Sequence, residues 1–584
     1  MPKPNQDFNT LKLSRRIAPD KLPELTGCSE LLKRIVASRG VSQATEISSA
    51  LKDLLPVSSL KGIEVATERL LEALLAQQRV LIVGDFDADG ATATALSMRA
   101  LRSFGFKNVD YIVPNRFEYG YGLTPEIIEV AKPYNPQLII TVDNGISSVE
   151  GVEHAAQQGV DVIVTDHHLP GKKLPAAAAI VNPNQADDNF VSKSLAGVGV
   201  VFYLMLAFKQ TLLKHDYFQQ NQLPVPNLVQ WLDLVALGTV ADVVVLDTNN
   251  RIMVEQGLRR IRSGQCSQGI LALLKLGKKD HRRACSQDLG FVCGPRLNAA
   301  GRLDDMSLGI ECLLTNSAVT AHDFAAELDA MNSTRRELES GMKQSALSQL
   351  DSIELDPDSL PSIICLYDEE WHQGIVGIIA ARIRERYYRP CLIFAPGTEG
   401  EIKGSGRSIP GVHMRDVIDR VATLHPGLVE KFGGHAMAAG LSIRQQDYSQ
   451  FQNAVGAVTD ALTNEKTFKE EILSDGALEQ ANYSLEVARE LEQAVPWGQG
   501  FPAPIFDDEF QIVGRNVLKQ AHLKLQLKPS GQQSAVSAIA FNVDMEKWPA
   551  IGGKVHLLYQ LSANEYNGVS SIQLIVQRLL SSEA

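Results

Sequence analysis

Carboxylates and imidazoles recur in this chain at the ends of apolar runs. Val80–Gly90, VLIVGDFDADG, closes a β-branched run with Asp85, Asp87, Asp89 and a glycine. A run of that kind bounded by Gly reads as a buried strand, and carboxylates at alternate positions face one side of an extended backbone. Placed that closely they repel one another unless something positive lies between them, and a divalent cation is the simplest such species. An acidic turn that merely caps a helix beginning near Ala91 is the plainer alternative. Further on, LIITV ends in Asp143-Asn144-Gly145, the run Val160–Thr165 ends in Asp166-His167-His168, and QWLDLVALGTVAD delivers Asp242 from an apolar stretch. Asp and His ligands without Cys favour Mn²⁺ or Mg²⁺ over structural zinc. So many groups suit two ions bridged by a carboxylate, and Asp143 is the natural bridge because it sits alone on a central strand. Two ions about 3.5–4 Å apart activate a water and stabilise the leaving oxygen of a phosphoester. In that scheme Asp85, Asp87, Asp89, Asp143, His167 and Asp242 are ligands, Asp166 orients His167, and His168 faces the phosphate as a donor or acid. No nucleophilic Ser or Cys signature accompanies them.

The elements that must position these groups alternate regularly. Strands are expected at Val80–Val83, Val109–Val113, Gln137–Val142, Val160–Thr165 and Ala178–Val181, with helices at Val65–Ala76, Ala91–Phe104, Pro125–Ala131 and Val149–Gln158. Strand-helix alternation implies right-handed crossovers and a mostly parallel sheet covered on both faces. Each strand ends in polar residues, and ligands of open α/β sheets bind beyond the carboxyl ends of the strands, so the acids and histidines are expected to converge on one crevice. Val198–Phe208 reads as a buried helix. Gly290–Asp305, GFVCGPRLNAAGRLDD, sets Arg296 and Arg302 among glycines and reads as a loop that approaches an anion. Long helices are expected over Met306–Leu350 and a linker over Asp351–Pro361. A second, smaller α/β unit then carries two Gly-rich turns, GSGRS with Ser405 and Arg407, and FGGHAMAAG with His435. Such turns present N–H groups to an anion, although tight turns between strands would look the same. Beyond the Pro/Gly-rich PWGQGFPAPIF, about five alternating strands suggest an oligonucleotide-binding type of β-barrel, with Asn567-Gly568 as a hairpin turn.

The chain of 584 residues is 45% hydrophobic and 21% charged, as in ordinary globular proteins. We expect an N-terminal helical lead-in over 1–60, a catalytic α/β domain over 61–315, connecting helices over 316–350, a smaller α/β domain over 360–462 and the barrel over 468–584. No apolar run approaches the ~20 residues of a membrane span, and MPKPNQDFNTLKLSRR lacks the apolar core of a secretory signal. Seven scattered cysteines without a CxxC pair read as free thiols. A net charge of −12 weighs against a general polyanion binder, yet two basic clusters stand out. One is Lys275, Lys278, Lys279, His281, Arg282 and Arg283; the other is Arg382, Arg384, Arg386 and Arg389. Each is either a polyanion contact or a solvated helix face.

DFDADG, the Asp of TVDNG, the TDHH triplet and ALGTVADV together resemble the DHH phosphoesterase superfamily, and GSGRS and GGHAMAAG resemble its DHHA1 domain. With PNR-EYGYGL, GPRLNAAGRL and HQGIVGIIAARI added, the chain resembles the RecJ family of bacterial single-strand-specific exonucleases over about residues 60–445. The resemblance implies processive 5′-to-3′ degradation of single-stranded DNA to mononucleotides with two Mn²⁺ or Mg²⁺ ions, in DNA repair and recombination. It also implies a terminal 5′ phosphate held by Arg116, Ser405 and Arg407 with Arg302 or Arg296. It further implies a barrel that grips the strand, partnership with single-stranded-DNA-binding protein and a helicase, and a monomer in the bacterial cytoplasm. Three rivals remain at this point. A DHH enzyme for pyrophosphate, cyclic dinucleotides or very short oligonucleotides would not need so long a chain. A phosphatase with Asp85 as nucleophile would leave DHH unexplained. A decayed, non-catalytic nuclease fold would not be expected to keep every ligand.

Overall fold

The computed structural model describes residues 12–583 apart from 116–117, 120–121, 353–359, 399, 520, 532–533 and 567–568. Arg116, the Asn567-Gly568 turn and most of the expected linker thus lie outside the described residues. The chain forms two compact units. One comprises Ala18–Asn332 with Arg489–Ala503; the other comprises the N-terminal residues to Ile17, Ser333–Ala488 and Pro504–Ala584.

The first unit is built on a five-stranded parallel sheet of β2 (Val80–Gly84), β3 (Val109–Ile112), β4 (Leu138–Val142), β5 (Asp161–Thr165) and β6 (Ala179–Val181). Their spatial order is β3-β2-β4-β5-β6. The chain leaves β2 toward one edge and returns to β4 on its other side. The strand order therefore reverses between β2 and β4, which is where an open α/β sheet leaves a crevice. VLIVG and LIITV are buried along their whole length, as expected for β-branched strands covered on both faces.

Three helices matter to the site. Helix α1 (Ala88–Phe104) ends on Gly105, whose φ of 104° suits a residue without Cβ. Helix α2 (Gly197–Lys214) is long and apolar enough to cross a membrane by length and composition, but its apolar window is 72% buried within this unit. It is a core helix, and among the described residues it is the nearest thing to a run of spanning length. Helix α3 (Leu232–Ala241) is buried from Leu232 to Thr239, so it has no polar face. Gly294–Leu303, read from sequence as a loop, is instead helix α4, entered through a π-helical turn at Leu289–Cys293. Its glycines serve packing: a Cβ on Gly301 would overlap the carbonyl oxygen of Phe86.

The second unit begins with the C-terminal part of the long helix α5 (Ala318–Ser352) and includes helix α6 (Val376–Tyr387). Its sheet is made of β7 (Ile364–Tyr367), β8 (Cys391–Pro396), β9 (Glu401–Arg407), β10 (Lys431–Gly434) and β11 (Ala438–Arg444), in the order β10-β11-β9-β8-β7. The two Gly-rich segments are therefore mostly strand, not turn. The alternation in GSGR explains why. A Cβ on Gly404 would collide with Phe394, and one on Gly406 would lie 2.9 Å from Leu392 Cδ2. The glycines make room for the core on one face and leave Ser405 and Arg407 on the other.

The expected lead-in hides one strand: β1 (Lys12–Arg15) pairs in parallel with β12 (Glu471–Ser474). A barrel follows, made of β13 (Phe506–Leu518), β14 (His522–Pro529), β15 (Val536–Ala540), β16 (Lys554–Tyr566) and β17 (Val569–Glu583). It closes in the order β13-β14-β15-β17-β16. Arg15 of β1 donates to the buried Asp507 of β13 at 2.7 Å.

Candidate metal centre

The acidic turn after β2 is extended only as far as Asp87. Asp87 is the N-cap of α1, and its Oδ1 accepts hydrogen bonds from the N–H groups of Asp89 (2.9 Å) and Gly90 (3.0 Å). The capping alternative and the ligand reading therefore hold together, since one carboxylate oxygen caps and the other remains to bind. Asp89 lies inside the first helical turn and is fully buried. Its Oδ2 accepts from Gly197 N at 2.6 Å and its Oδ1 from Val198 N at 2.9 Å, at the positive end of α2.

Asp143 follows β4 with φ of 64°, a left-handed conformation rare for a residue with Cβ. That turn brings its carboxylate back against α2. A Cβ on Gly197 would lie 2.6 Å from Asp143 Cβ and 2.7 Å from its Oδ1, so only glycine fits there. Gly238 does the same for α3, where a Cβ would lie 2.8 Å from Asp89 Oδ1. Asp242 ends α3, and His167 follows β5. His167 Nε2 lies 3.1 Å from Asp143 Oδ1 and 3.5 Å from Asp242 Oδ2.

The donor atoms form overlapping trios, each with its atoms within 4.8 Å of one another: Asp85, Asp87 and Asp143; Asp89, His167 and Asp242; and Asp143, His167 and His168. Asp143 is common to the first and third and His167 to the second and third, and the two side chains touch. Burial first, and then the neighbouring carboxylates, push Asp143 and Asp242 well above the usual carboxylate range and Asp89 up to about 7. Carboxylates held this close in a buried crevice need a counter-charge. The oxygen-rich donor set with imidazole fits Mn²⁺ or Mg²⁺ and lacks the thiolates of a structural zinc site.

One expected partnership differs. Asp166 orients His168, not His167: its Oδ1 accepts from His168 Nδ1 at 2.7 Å and from the backbone N–H groups of His167 and His168, while Oδ2 accepts from Ile146 N at 2.9 Å. In a turn this tight, the imidazole two residues on folds back over the carboxylate, and the one beside it points away. Burial disfavours the charged form of His168, but the Asp166 hydrogen bond and the surrounding carboxylates outweigh it and raise its pKa to about 9.

The anion-site residues separate. Arg296 is turned inward, donating to Asp329 at 2.8 Å and to the Val292 carbonyl at 2.8 Å, so its guanidinium ties α4 to α5. Arg302 is half-buried near the end of α4. In the second unit Arg407 is mostly buried and has no carboxylate partner among the described residues. It donates to Ser405 Oγ at 3.2 Å and the Gly406 carbonyl at 2.8 Å, and burial lowers its pKa. His435 is exposed in the β10–β11 turn, where its backbone N–H donates to Ala438 O. Sequence reading missed Asn298 as a positioning group: its Oδ1 accepts from Ala88 N at 2.7 Å and holds the start of α1. It also missed Gly197, whose only signal was a glycine opening an apolar helix.

Fold and ligand set define the class of the protein, a DHH-type phosphoesterase with two accessory domains. The "DHH family, N-terminal domain" profile matches residues 79–239, the "DHHA1 domain" profile 360–464 and the "RecJ OB domain" profile 474–578. The Escherichia coli (strain K12) protein named "Single-stranded-DNA-specific exonuclease RecJ" is 52% identical over 550 residues, which is 94% of this chain and 95% of the relative. The protein of the same name from Bacillus subtilis (strain 168) is 30% identical over 97% of this chain and 70% of its own length. The crystal structure of RecJ in complex with Mn²⁺ from Thermus thermophilus superposes with a TM-score of 0.78 at 29% identity, covering 98% of this chain and 80% of that one. The chain belongs to the RecJ family.

Proposed function

We propose that this protein is a metal-dependent exonuclease that degrades single-stranded DNA from its 5′ end and releases mononucleotides. The observation that carries the reading is the pair of ligand trios, Asp85-Asp87-Asp143 and Asp89-His167-Asp242, joined by the 3.1 Å contact between Asp143 and His167. Two Mn²⁺ or Mg²⁺ ions held there supply an acidified water and positive charge at the leaving oxygen. The chain's own residues do the rest. The α2 N-terminus fixes both oxygens of Asp89, and Asn298 fixes the start of α1, so the ligands are preorganised. Asp166 fixes His168 through Nδ1, so Nε2 is the nitrogen that donates to a phosphate oxygen.

Polarity needs a separate anchor for the strand end. In the second unit Ser405 and Arg407 lie at the N-terminal end of α6, where a Cβ on Gly377 would sit 2.9 Å from Ser405 Oγ and 3.0 Å from Arg407 Nη2. A buried guanidinium beside a helix N-terminus suits a terminal phosphate. Anchoring that phosphate apart from the hydrolysed bond sets the step at one nucleotide. Arg302 offers a further cation in the first unit. The reading carries with it a role in DNA repair and recombination, partnership with single-stranded-DNA-binding protein and a helicase, and a monomer in the bacterial cytoplasm.

The test is digestion of one strand labelled at its 5′ end and another labelled at its 3′ end, with Mn²⁺, Mg²⁺ or EDTA. The 5′ label is expected to leave first, as a mononucleotide, only with metal. Release beginning at the 3′ end, or activity indifferent to chelation, overturns the reading.

A further inference from the structure

Both basic stretches of the sequence spend charge on internal pairs, Lys279 with Asp288, Arg282 with Asp280 and Arg382 with Glu339. Polar groups that the fold leaves over gather elsewhere, within the first unit. A cleft of about 440 Å³ opens there between α1, the start of α3 and the helices Thr248–Arg262 and Gln268–Leu276. Asp233, in the first turn of α3, lines it and is 1% exposed. Its Oδ2 accepts from Ser267 N at 2.6 Å, while its Oδ1 is buried without a hydrogen-bond partner. A buried carboxylate oxygen is costly to leave unpaired, so this one asks for a donor that the chain does not supply.

Two guanidiniums line the same cleft. Arg99 of α1 gives its Nη atoms to the carbonyls of Leu313 and Leu314 and to Asn316 Oδ1, but its Nε is buried and unpartnered. Arg260 gives its Nε to the Gln230 carbonyl at 3.1 Å, and its Nη atoms make no hydrogen bond among the described residues. Neither arginine pairs with a carboxylate among those residues. Burial pushes the Asp233 carboxyl above its ordinary range, and the Ser267 hydrogen bond and the charges of Arg260 and Arg99 oppose that push. Trp231 and Leu234 add an apolar wall. The volume lies within the ~300–1,000 Å³ of small-molecule sites.

An acceptor flanked by donors is matched by the reverse pattern, an N–H flanked by acceptors. The lactam edges of thymine and guanine carry it, a ring N–H beside a carbonyl. Cytosine and adenine present a ring-nitrogen lone pair at that place, which would face the carboxylate. A free guanidinium suits a phosphate. The cleft stands apart from the metal centre. Arg99 is ten residues beyond Asp89 on α1, and Asp233 nine residues before Asp242 on α3, about 15 and 13 Å along the axes.

We infer that this cleft is a second ligand site, which takes a nucleoside 5′-monophosphate with a lactam base, its ring N–H on Asp233 Oδ1 and its phosphate on Arg260. The inference rests on the exonuclease reading, in which such nucleotides are the products, and it adds a place where the chain meets its own product away from the hydrolysed bond.

The test is calorimetry on the full chain in EDTA, with thymidine 5′-monophosphate and deoxycytidine 5′-monophosphate as probes. Wild type is expected to bind the thymidine nucleotide about tenfold or more tightly than the cytidine one. Asp233→Asn is expected to reverse that order. Ser267 N still needs an acceptor, so the amide oxygen stays on that side and the NH₂ turns into the cleft, where it repels the thymine N–H and suits the cytosine lone pair. Arg260→Gln is expected to weaken the thymidine nucleotide about tenfold and to leave thymidine itself within twofold. If Asp233→Asn does not fold, 3-methylthymidine 5′-monophosphate serves on wild type: without its ring N–H it is expected to bind at least tenfold more weakly. No base preference in wild type, or one that neither Asp233→Asn nor N-methylation alters, overturns the inference and leaves Asp233 Oδ1 to a buried water or a proton. A wild type that fails to cleave from the 5′ end refutes the exonuclease reading; one that cleaves normally but shows no lactam preference refutes only the cleft.

Discussion

Gly197→Ala tests the geometry of the metal centre without touching a ligand. The added methyl would sit 2.6 Å from Asp143 Cβ and 2.7 Å from Oδ1. Ordinary carbon contacts need about 3.5–4 Å, so Asp143 or the start of α2 must give by roughly 1 Å. Asp143 cannot yield freely, because it already sits at φ 64° and is buried. If α2 yields instead, the 2.6 and 2.9 Å hydrogen bonds from Gly197 and Val198 to Asp89 lengthen. Either way a candidate ligand is disturbed, Asp143 in the first case and Asp89 in the second. A misplacement of about 1 Å costs on the order of 100-fold in turnover, which is about 2.7 kcal/mol of barrier, and overpacking of this kind destabilises by about 1–3 kcal/mol. We expect a folded variant with weaker Mn²⁺ binding, measured by calorimetry, and kcat on single-stranded DNA reduced about 100-fold. Gly199→Ala on the same helix is the control: its Cβ meets Leu195 Cβ and Met253 Cε at an ordinary 3.7 Å and Leu195 Cδ2 at 3.2 Å, and that last contact is the end of a flexible side chain, so activity is expected within about threefold of wild type. Normal Mn²⁺ affinity and turnover in a folded Gly197→Ala protein would refute the claim that this glycine shapes the site.

Asp143→Asn removes one charge from a crowded, buried set, so in EDTA the variant is expected to be more thermally stable than wild type, by about 1 kcal/mol or more, while losing stabilisation by Mn²⁺ and cleavage; paired melting curves with and without Mn²⁺ check this. Arg407→Ala is expected to erase the preference for a 5′-phosphorylated over a 5′-hydroxyl strand, about tenfold or more in kcat/KM, with Mn²⁺ affinity unchanged in calorimetry. Asp507 accepts from Arg15, Ser474 and His556. Burial alone would raise its pKa, but those bonds hold it below the usual value. A depressed acid stabilises the fold above its unfolded pKa of about 3.9 and loses that contribution as pH falls through the folded value. Asp507→Asn is therefore expected to cost about 1–2 kcal/mol at neutral pH and to flatten the acid limb of the stability curve below about pH 4, read by denaturant titration at several pH values.

Much of the site is local and so was legible. Apolar strands that end in acids, DFDADG, DNG and DHH, carry their ligands at fixed chain positions, and a parallel sheet delivers strand ends to one edge. The barrel was legible from alternation alone, because period two is a property of each strand. The failures share a cause. GPRLNAAGRL looked like a loop and GSGRS like a turn because glycine was read as a turn residue, whereas in α4 it makes room for Phe86, more than 200 residues away, and in β9 for Phe394 on the paired strand β8. Arg296 looked like an anion ligand until Asp329 neutralised it. Strand β1 gave no signal because its partner lies more than 450 residues away.

By itself, then, the order of residues determined the ligand types, the parallel sheet and the class of chemistry, since ionisation, strand period and helix period act within a few residues. The tertiary structure decided which imidazole Asp166 holds, which arginine stays without a carboxylate, and why Gly197 must be glycine. Those depend on distances of a few ångströms between segments that only the packed core brings together.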